Sequence, residues 1–222
     1  MSKSKMHNMA TTSPRLLRWF ASKNPWMVLV KLLPLVGIFI YGAMQVSHFS
    51  WLIPVYFLIG ILTWSFFEYA THRWAYHIDF KNRKVRWVLE AFHIYHHTNM
   101  RDYRVLNAGI LLIYPLTIIF WLGAFLISGE VATASYFGLG TLAYYYFYEN
   151  VHYYIHYRLY HKGYMAMIQK YHLYHHYKKW DVNYGNTISL WDRVFATYDG
   201  RYRELKLSTE QIEDLITGKR GE

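Results

Sequence analysis

The chain has no cysteine among its 222 residues. This absence excludes disulfide bridges, iron–sulfur clusters, thiolate metal ligands and a thiol nucleophile. Any metal must therefore be held by nitrogen or oxygen. Acidic residues are also few, at 14 against 24 Lys and Arg, which gives a formal net charge of +10. The basic residues are not gathered into one stripe, so the charge does not indicate a nucleic-acid partner.

The most prominent feature of the sequence is its long apolar runs. Four runs are long enough to span a bilayer, over residues 26–46, 51–67, 106–127 and 131–148. Short polar joints at 47–50 and 128–130 separate the members of each successive pair. The sequence therefore predicts an all-α integral membrane protein with four transmembrane helices in two hairpins.

The distribution of basic residues predicts the orientation of these helices. Every Lys and Arg except Lys31 lies before the first run, between the second and third, or after the fourth. Because cytoplasmic segments carry the excess of positive charge, both termini and the middle segment are expected in the cytoplasm. We expect a basic segment over 1–25, a membrane domain with a cytoplasmic helical cap over 26–198, and a soluble tail over 199–222.

Two short helices are predicted outside the spans. Residues 84–99 have the pattern of an amphipathic helix at the membrane surface. In the tail, Ser208 and Gln211 have the spacing of a capping box, and Gly218 indicates where that helix stops.

Ten of the 13 histidines fall into four boxes, all on the predicted cytoplasmic side. Residues three and four apart share a helix face, so most of this spacing is typical of metal ligands. Neutral imidazoles favour iron, zinc or copper over magnesium or calcium. Ten ligands suit two metals with four or five each, leaving a position for water or dioxygen. The boxes are His72 and His77; His93, His96 and His97; His152 and His156; and His172, His175 and His176.

Two carboxylates precede boxes closely. Glu68 lies four residues before His72, and Glu149 lies three before His152. Each would either orient a ligand imidazole by accepting its second N–H, or reach water from the end of a span.

The segment from Gly138 to Ala143 formally matches a dinucleotide fingerprint. It lies inside an apolar run with no preceding strand, so close helix packing explains its glycines better. We expect no nicotinamide or flavin site.

In box order and spacing, the chain resembles the fatty acid hydroxylase and sterol desaturase superfamily, and most closely its fatty acid 2-hydroxylase branch. Further matches extend the resemblance over about residues 55–198. They are Arg73-Trp74, Asp102, Arg104, Tyr148-Glu149, Asn183-Tyr184-Gly185 and the run from Leu190 to Phe195.

The resemblance implies two irons held by the ten box histidines, with zinc as a substitute during purification. It implies dioxygen as co-substrate, a lipid acyl chain from the bilayer as substrate, and a separate cytochrome or ferredoxin with its reductase as electron donor. Tyr145, Phe147, Trp180 and Tyr184 would line the route of the acyl chain or serve ordinary interfacial packing. The host membrane would be a bacterial plasma membrane or an endoplasmic reticulum.

Two alternatives stay open at this point. A sterol or carotenoid hydroxylase or desaturase would use the same pair of metals. A non-enzymatic haem or metal-handling protein is the more distant alternative, because the centres of the predicted spans contain no histidine.

Overall fold

The structure is a computed structural model that describes residues 21–45, 51–77, 81, 93, 96–97, 99–106 and 109–218. Within those ranges every regular element is helical and no strand occurs. The prediction of an all-α fold is confirmed for this part of the chain.

Four long helices form the body of the protein. They are α1 (Pro25–Ala43), α2 (Leu52–Ala70), α4 (Ile110–Ser128) and α5 (Val131–Tyr157). A short α3 (Tyr103–Leu106) precedes α4, and α2 continues without a break into a π-helical turn, Thr71–Tyr76. After α5 come α6 (Gly163–Tyr177), α7 (Leu190–Val194), a 3₁₀ turn (Gly200–Glu204) and α8 (Thr209–Thr217).

The four long helices correspond to the four predicted apolar runs. By length and composition, two helical stretches in the described residues can cross a membrane, Pro25–Ala43 and Leu52–Tyr76. Leu112–Ser128 is apolar but shorter. Helix α5 extends beyond its predicted end at residue 148 to Tyr157, so His152 and His156 belong to the same continuous helix as the apolar run.

Helix α5 is the centre of the bundle and packs against α1, α2 and α4. Its crossing with α2 depends on two glycines, because small residues let helix backbones approach closely. A Cβ added at Gly60 would collide with the carbonyl oxygen of Phe137, and one added at Gly140 with the carbonyl oxygen of Phe57. This contact fixes α2 and α5 side by side, and with them the histidines that follow.

The same contacts explain the apparent dinucleotide fingerprint. A Cβ at Gly138 would lie 2.7 Å from Cε2 of Phe39 in α1, and Gly140 faces the α2 backbone. The interpretation of these glycines as helix-packing positions is confirmed.

The tail helix also agrees with the sequence. The Ser208 side chain accepts from the Gln211 N–H at 3.2 Å, the Gln211 side chain accepts from the Ser208 N–H at 2.9 Å, and the helix ends before Gly218. The predicted surface helix over 84–99 lies outside the described residues except at positions 93, 96, 97 and 99.

Candidate metal centre

His72, in the first histidine box, lies on the π-helical turn that ends α2, and His77 is the C-cap of that turn. On an α-helix, residues five apart point about 140° away from each other. The i→i+5 repeat of a π-helix instead puts them on one face. The rings of His72 and His77 accordingly lie with their centroids 5.1 Å apart. The local change of helix type is what makes the His-x4-His spacing usable as a pair.

The other boxes come from three further segments. His152 and His156 lie in the last turns of α5, and His172, His175 and His176 lie in the last turns of α6. His93, His96 and His97 have helical backbone. Four separate stretches of chain thus deliver imidazoles to one place.

These imidazoles form two adjacent groups, which we call the first and second histidine groups. In each group, one nitrogen from every ring lies within 4.8 Å of the others. His176 lies beside the second group, with its Nε2 2.9 Å from the Nε2 of His172. The first group is His72, His77, His93, His97 and His175; the second is His96, His152, His156 and His172.

Each His-x2-His-His box is divided between the two groups. At about 100° per residue, the histidine at i+4 lies about 40° from the first, and the one at i+3 about 60° to the other side. The outer pair His93 and His97 therefore stays in the first group while His96 turns to the second. In the other box His172 is in the second group and His175 turns to the first. The spacing suggests a single stripe of three imidazoles in each box. The structure instead divides the three rings between the two groups.

The nitrogens inside each group converge. Nε2 of His93 lies 3.0 Å from that of His72, 2.8 Å from that of His77 and 2.9 Å from that of His97. Nε2 of His172 lies 2.9 Å from that of His156. Two nitrogen ligands at about 2.1 Å from one metal, at right angles, would be about 3.0 Å apart. The nitrogen spacing fits a metal ion at the centre of each group.

Hydrogen bonding among the rings alone does not explain this convergence. A neutral imidazole has one N–H, so Nε2 of His93 can bond to only one of its three neighbours through its own proton. Nε2 of His175 is buried without a hydrogen-bond partner among the described residues, as are both nitrogens of His96. Buried polar nitrogens without partners are costly unless they bind an ion. The nitrogen-only donor set suits iron, zinc or copper.

Burial keeps these rings neutral, which leaves a lone pair for a metal. It lowers the pKa of His77 and of His97 to about 3. Burial, with neighbouring histidines as the next cause, also holds five further pKa values well below the ordinary range. These belong to His93, His96, His172, His175 and His176.

A loop after α6 contacts the Nδ1 atoms of two of the rings. We call residues 182–187 the carbonyl loop. The Tyr184 carbonyl pairs with Nδ1 of His72 at 2.5 Å, and the Val182 carbonyl pairs with Nδ1 of His175 at 2.8 Å. A carbonyl accepts, so Nδ1 carries the proton in both rings and Nε2 carries the lone pair.

Two buried carboxylates hold the carbonyl loop. Asp192 accepts from the N–H groups of Tyr184 and Gly185, both at 2.8 Å. Glu68 accepts from the N–H groups of Asn186 at 2.6 Å and Thr187 at 3.1 Å, and from the Thr187 hydroxyl at 2.9 Å. The sequence predicts that Glu68 either orients a ligand imidazole or reaches water. Its oxygens instead face the backbone of the carbonyl loop. Glu149 is fully buried in α5, and its role beside a ligand stays a prediction.

The aromatic candidates divide between the centre and the bundle. The Tyr184 ring packs against His72, His77 and His175, and the exposed Trp180 ring lies 5.7 Å from that of His77. Tyr145 is instead buried against Trp64 within the helix bundle, and Phe147 is exposed beside Tyr164.

Sequence reasoning missed the carbonyl loop and the role of Asp192. A backbone carbonyl has no residue-type signature, so spacing cannot reveal it. The available signal was Gly185, where a Cβ would collide with the Ile188 carbonyl oxygen.

Two adjacent groups of neutral imidazoles, drawn from four chain segments, are compatible with a metal site of the histidine-box class. The fatty acid hydroxylase family model matches residues 57–197. The chain belongs to this family.

Its relatives agree with the predicted branch. The chain is 33% identical over 147 residues to dihydroceramide fatty acyl 2-hydroxylase FAH2 of Arabidopsis thaliana, covering 64% of this chain and 59% of that one. It is 30% identical over 200 residues to ceramide very long chain fatty acid hydroxylase scs7 of Schizosaccharomyces pombe, covering 85% and 55%. The chain thus spans somewhat more than half the length of these relatives. A solved structure described as full-length scs7p, with only the hydroxylase domain visible, superimposes with a TM-score of 0.69 at 27% identity, over 86% of this chain and 71% of that chain.

Proposed function

We propose that the protein is a membrane di-iron oxygenase that hydroxylates the acyl chain of a fatty acid or sphingolipid at C-2. The observation that carries this proposal is the convergence of histidines from four chain segments into two adjacent groups. The relatives named above act on fatty acyl chains, which favours an acyl over a sterol or carotenoid substrate.

In this proposal the ten box histidines hold two iron ions, and His176 completes the second histidine group. Each group then has the same make-up: a two-histidine box, the i and i+4 members of one triplet, and the i+3 member of the other triplet. Reduced iron held there would supply the activation of dioxygen and the attack on an unactivated C–H bond.

The protein's own residues prepare this chemistry. Burial keeps the imidazoles unprotonated, so the iron ions do not compete with protons. The Tyr184 and Val182 carbonyls hold His72 and His175 with Nε2 directed into the first histidine group. Burial of most of these rings keeps water away from their nitrogens.

A membrane setting is part of the proposal. Helices α1, α2 and α4 expose large apolar side chains that a bilayer would cover, among them Val30, Ile38, Leu58, Leu62, Ile119 and Leu126. We place four spans across the membrane, with both termini and both histidine groups in the cytoplasm. The hydroxylase domain would occupy residues 26–198, between the basic segment and the soluble tail.

Electrons would come from a separate cytochrome or ferredoxin with its reductase. The balance requires two electrons and two protons for each dioxygen, which gives one hydroxylated chain and one water.

The test is to express the chain with a reductase system in a host lacking 2-hydroxylated lipids and to profile its acyl chains. Wild type should give 2-hydroxy acyl chains, while His96→Ala and His175→Ala should not. His161→Ala is the matched control, because this exposed histidine lies outside the four boxes. Equal lipid profiles in wild type and both box variants, with metal still bound, would contradict the proposal. Hydroxylated sterols or carotenoids in place of acyl products would reject the acyl substrate.

A further inference from the structure

We infer that the carbonyl loop and its two carboxylates, Glu68 and Asp192, position the metal of the first histidine group and not the metal of the second. This inference rests on the proposed function, because it assumes that the two groups bind metal.

The loop contacts two ligands from different boxes. His72 comes from the end of α2 and His175 from α6, yet both Nδ1 atoms pair with carbonyls two residues apart, Tyr184 and Val182. Their ring centroids lie 4.6 Å apart. A shift of the loop would therefore rotate two ligands of one metal together. Both ligands belong to the first histidine group and neither to the second.

The loop's conformation is fixed at several points. Asn183 has a φ of 57°, in the left-handed region, and its side chain accepts from the Asp199 N–H at 2.8 Å. Gly185 has no room for a Cβ beside the Ile188 carbonyl. Between these positions, Asp192 accepts from two consecutive N–H groups of the loop.

Asp192 is itself held rigidly. It is fully buried and accepts a third hydrogen bond, from the Thr197 hydroxyl at 2.7 Å. In Asp192→Asn, the amide NH₂ would replace an oxygen that now accepts, so two donors would face each other. The loop would move away from α7 and take the Tyr184 carbonyl with it.

Glu68 supports the other end of the loop from α2, the helix that leads to His72. Its oxygens bind the Asn186 and Thr187 backbone, so the helix and the carbonyl that contacts His72 are joined by a buried carboxylate. In Glu68→Gln the remaining side-chain carbonyl oxygen can still accept from both N–H groups. Glu68→Ala instead removes every hydrogen bond that the Glu68 side chain accepts from the loop. Glu68→Gln should therefore keep the carbonyl loop close to its wild-type position.

The experiment loads the full chain with Co²⁺ and measures metal per chain by mass spectrometry together with the visible spectrum of the Co²⁺-imidazole chromophores. Wild type should hold two ions. Asp192→Asn and Glu68→Ala should lose about one ion per chain and change the spectrum, and Glu68→Gln should stay close to wild type. Adding His152→Ala to Asp192→Asn should remove the remaining ion, whereas adding His175→Ala should not.

Asp199→Asn is the matched control, because that side chain pairs with Arg201 and not with the loop backbone; it should keep two ions. Gly185→Ala displaces the loop without changing a charge and should act like Asp192→Asn. Two retained ions with an unchanged spectrum in Asp192→Asn, or equal loss from both groups, would overturn the inference. Wild type with two ions but no lipid product would overturn only the proposed function, while wild type without metal would overturn both.

Discussion

His97 stacks on His176 with ring centroids 4.1 Å apart and ring planes 22° apart. Each is the last residue of a His-x2-His-His box, and the two boxes lie in different parts of the chain. The contact lies where the two histidine groups meet. With His176 counted in the second histidine group, as proposed above, each box gives two rings to one group and one ring to the other.

This arrangement predicts different outcomes for neighbouring residues. His96→Ala should weaken metal binding in the second histidine group, and His97→Ala in the first. Loss of a ligand should lower hydroxylation at least a hundredfold in both variants, since even loss of a partner behind a ligand costs about 10–100-fold. Metal counts in double variants check this: His96→Ala with His152→Ala should keep one ion, and His97→Ala with His152→Ala should keep none. Identical metal counts in the two double variants would contradict the divided boxes.

The glycines between α2 and α5 give a prediction about stability. Gly140→Ala forces a methyl group against the Phe57 backbone and should destabilise the protein by about 1–3 kcal/mol, as overpacking does. Gly123→Ala in α4 is the control, because its Cβ would meet nothing within 4 Å. Thermal unfolding in detergent should show a lower midpoint for Gly140→Ala only. A lower midpoint for both variants would instead point to the loss of glycine itself.

The sequence allowed the four long helices and the ten candidate ligands to be named, because apolar runs and i, i+3, i+4 spacings are periodic signals. It did not reveal that a π-helical turn brings His72 and His77 together, since an α-helix would separate them. It also assigned Glu68 to an imidazole or to water. The carboxylate instead binds the backbone of Asn186 and Thr187, over a hundred residues further along the chain. Such tertiary contacts leave no trace in local spacing.

Acid should destabilise the metal-free protein. The pKa of His77 and of His97 is about 3 in the folded chain, against about 6.5 when unfolded. Between these values the unfolded chain binds protons that the folded chain does not, so stability falls as pH drops below about 6.5. At pH 5 the loss should be up to about 2 kcal/mol for each histidine.

Unfolding of metal-free protein at pH 7.5 and pH 5 measures this effect. The double variant His77→Gln and His97→Gln should show a smaller pH dependence than wild type. An equal loss of stability between pH 7.5 and pH 5 in wild type and in the double variant would assign the acid sensitivity to other groups.

The absence of cysteine makes the proposed topology directly testable. Ser128→Cys places a thiol at the last residue of α4, just before the joint to α5, and Lys206→Cys places one in the tail after the 3₁₀ turn. In intact bacterial cells that carry the chain in the plasma membrane, a membrane-impermeant maleimide should label only Ser128→Cys. Labelling of Lys206→Cys should appear after permeabilisation, and the opposite pattern would reverse the orientation.

The most direct measurement is the incorporation of oxygen from ¹⁸O₂ into acyl chains by the purified protein with a reductase system. Wild type and His161→Ala should give 2-hydroxy acyl chains that carry one ¹⁸O atom, and His96→Ala and His175→Ala should give none. Absence of labelled product from metal-loaded wild type, or equal labelling in both box variants, would contradict the assignment of acyl hydroxylation to the two histidine groups.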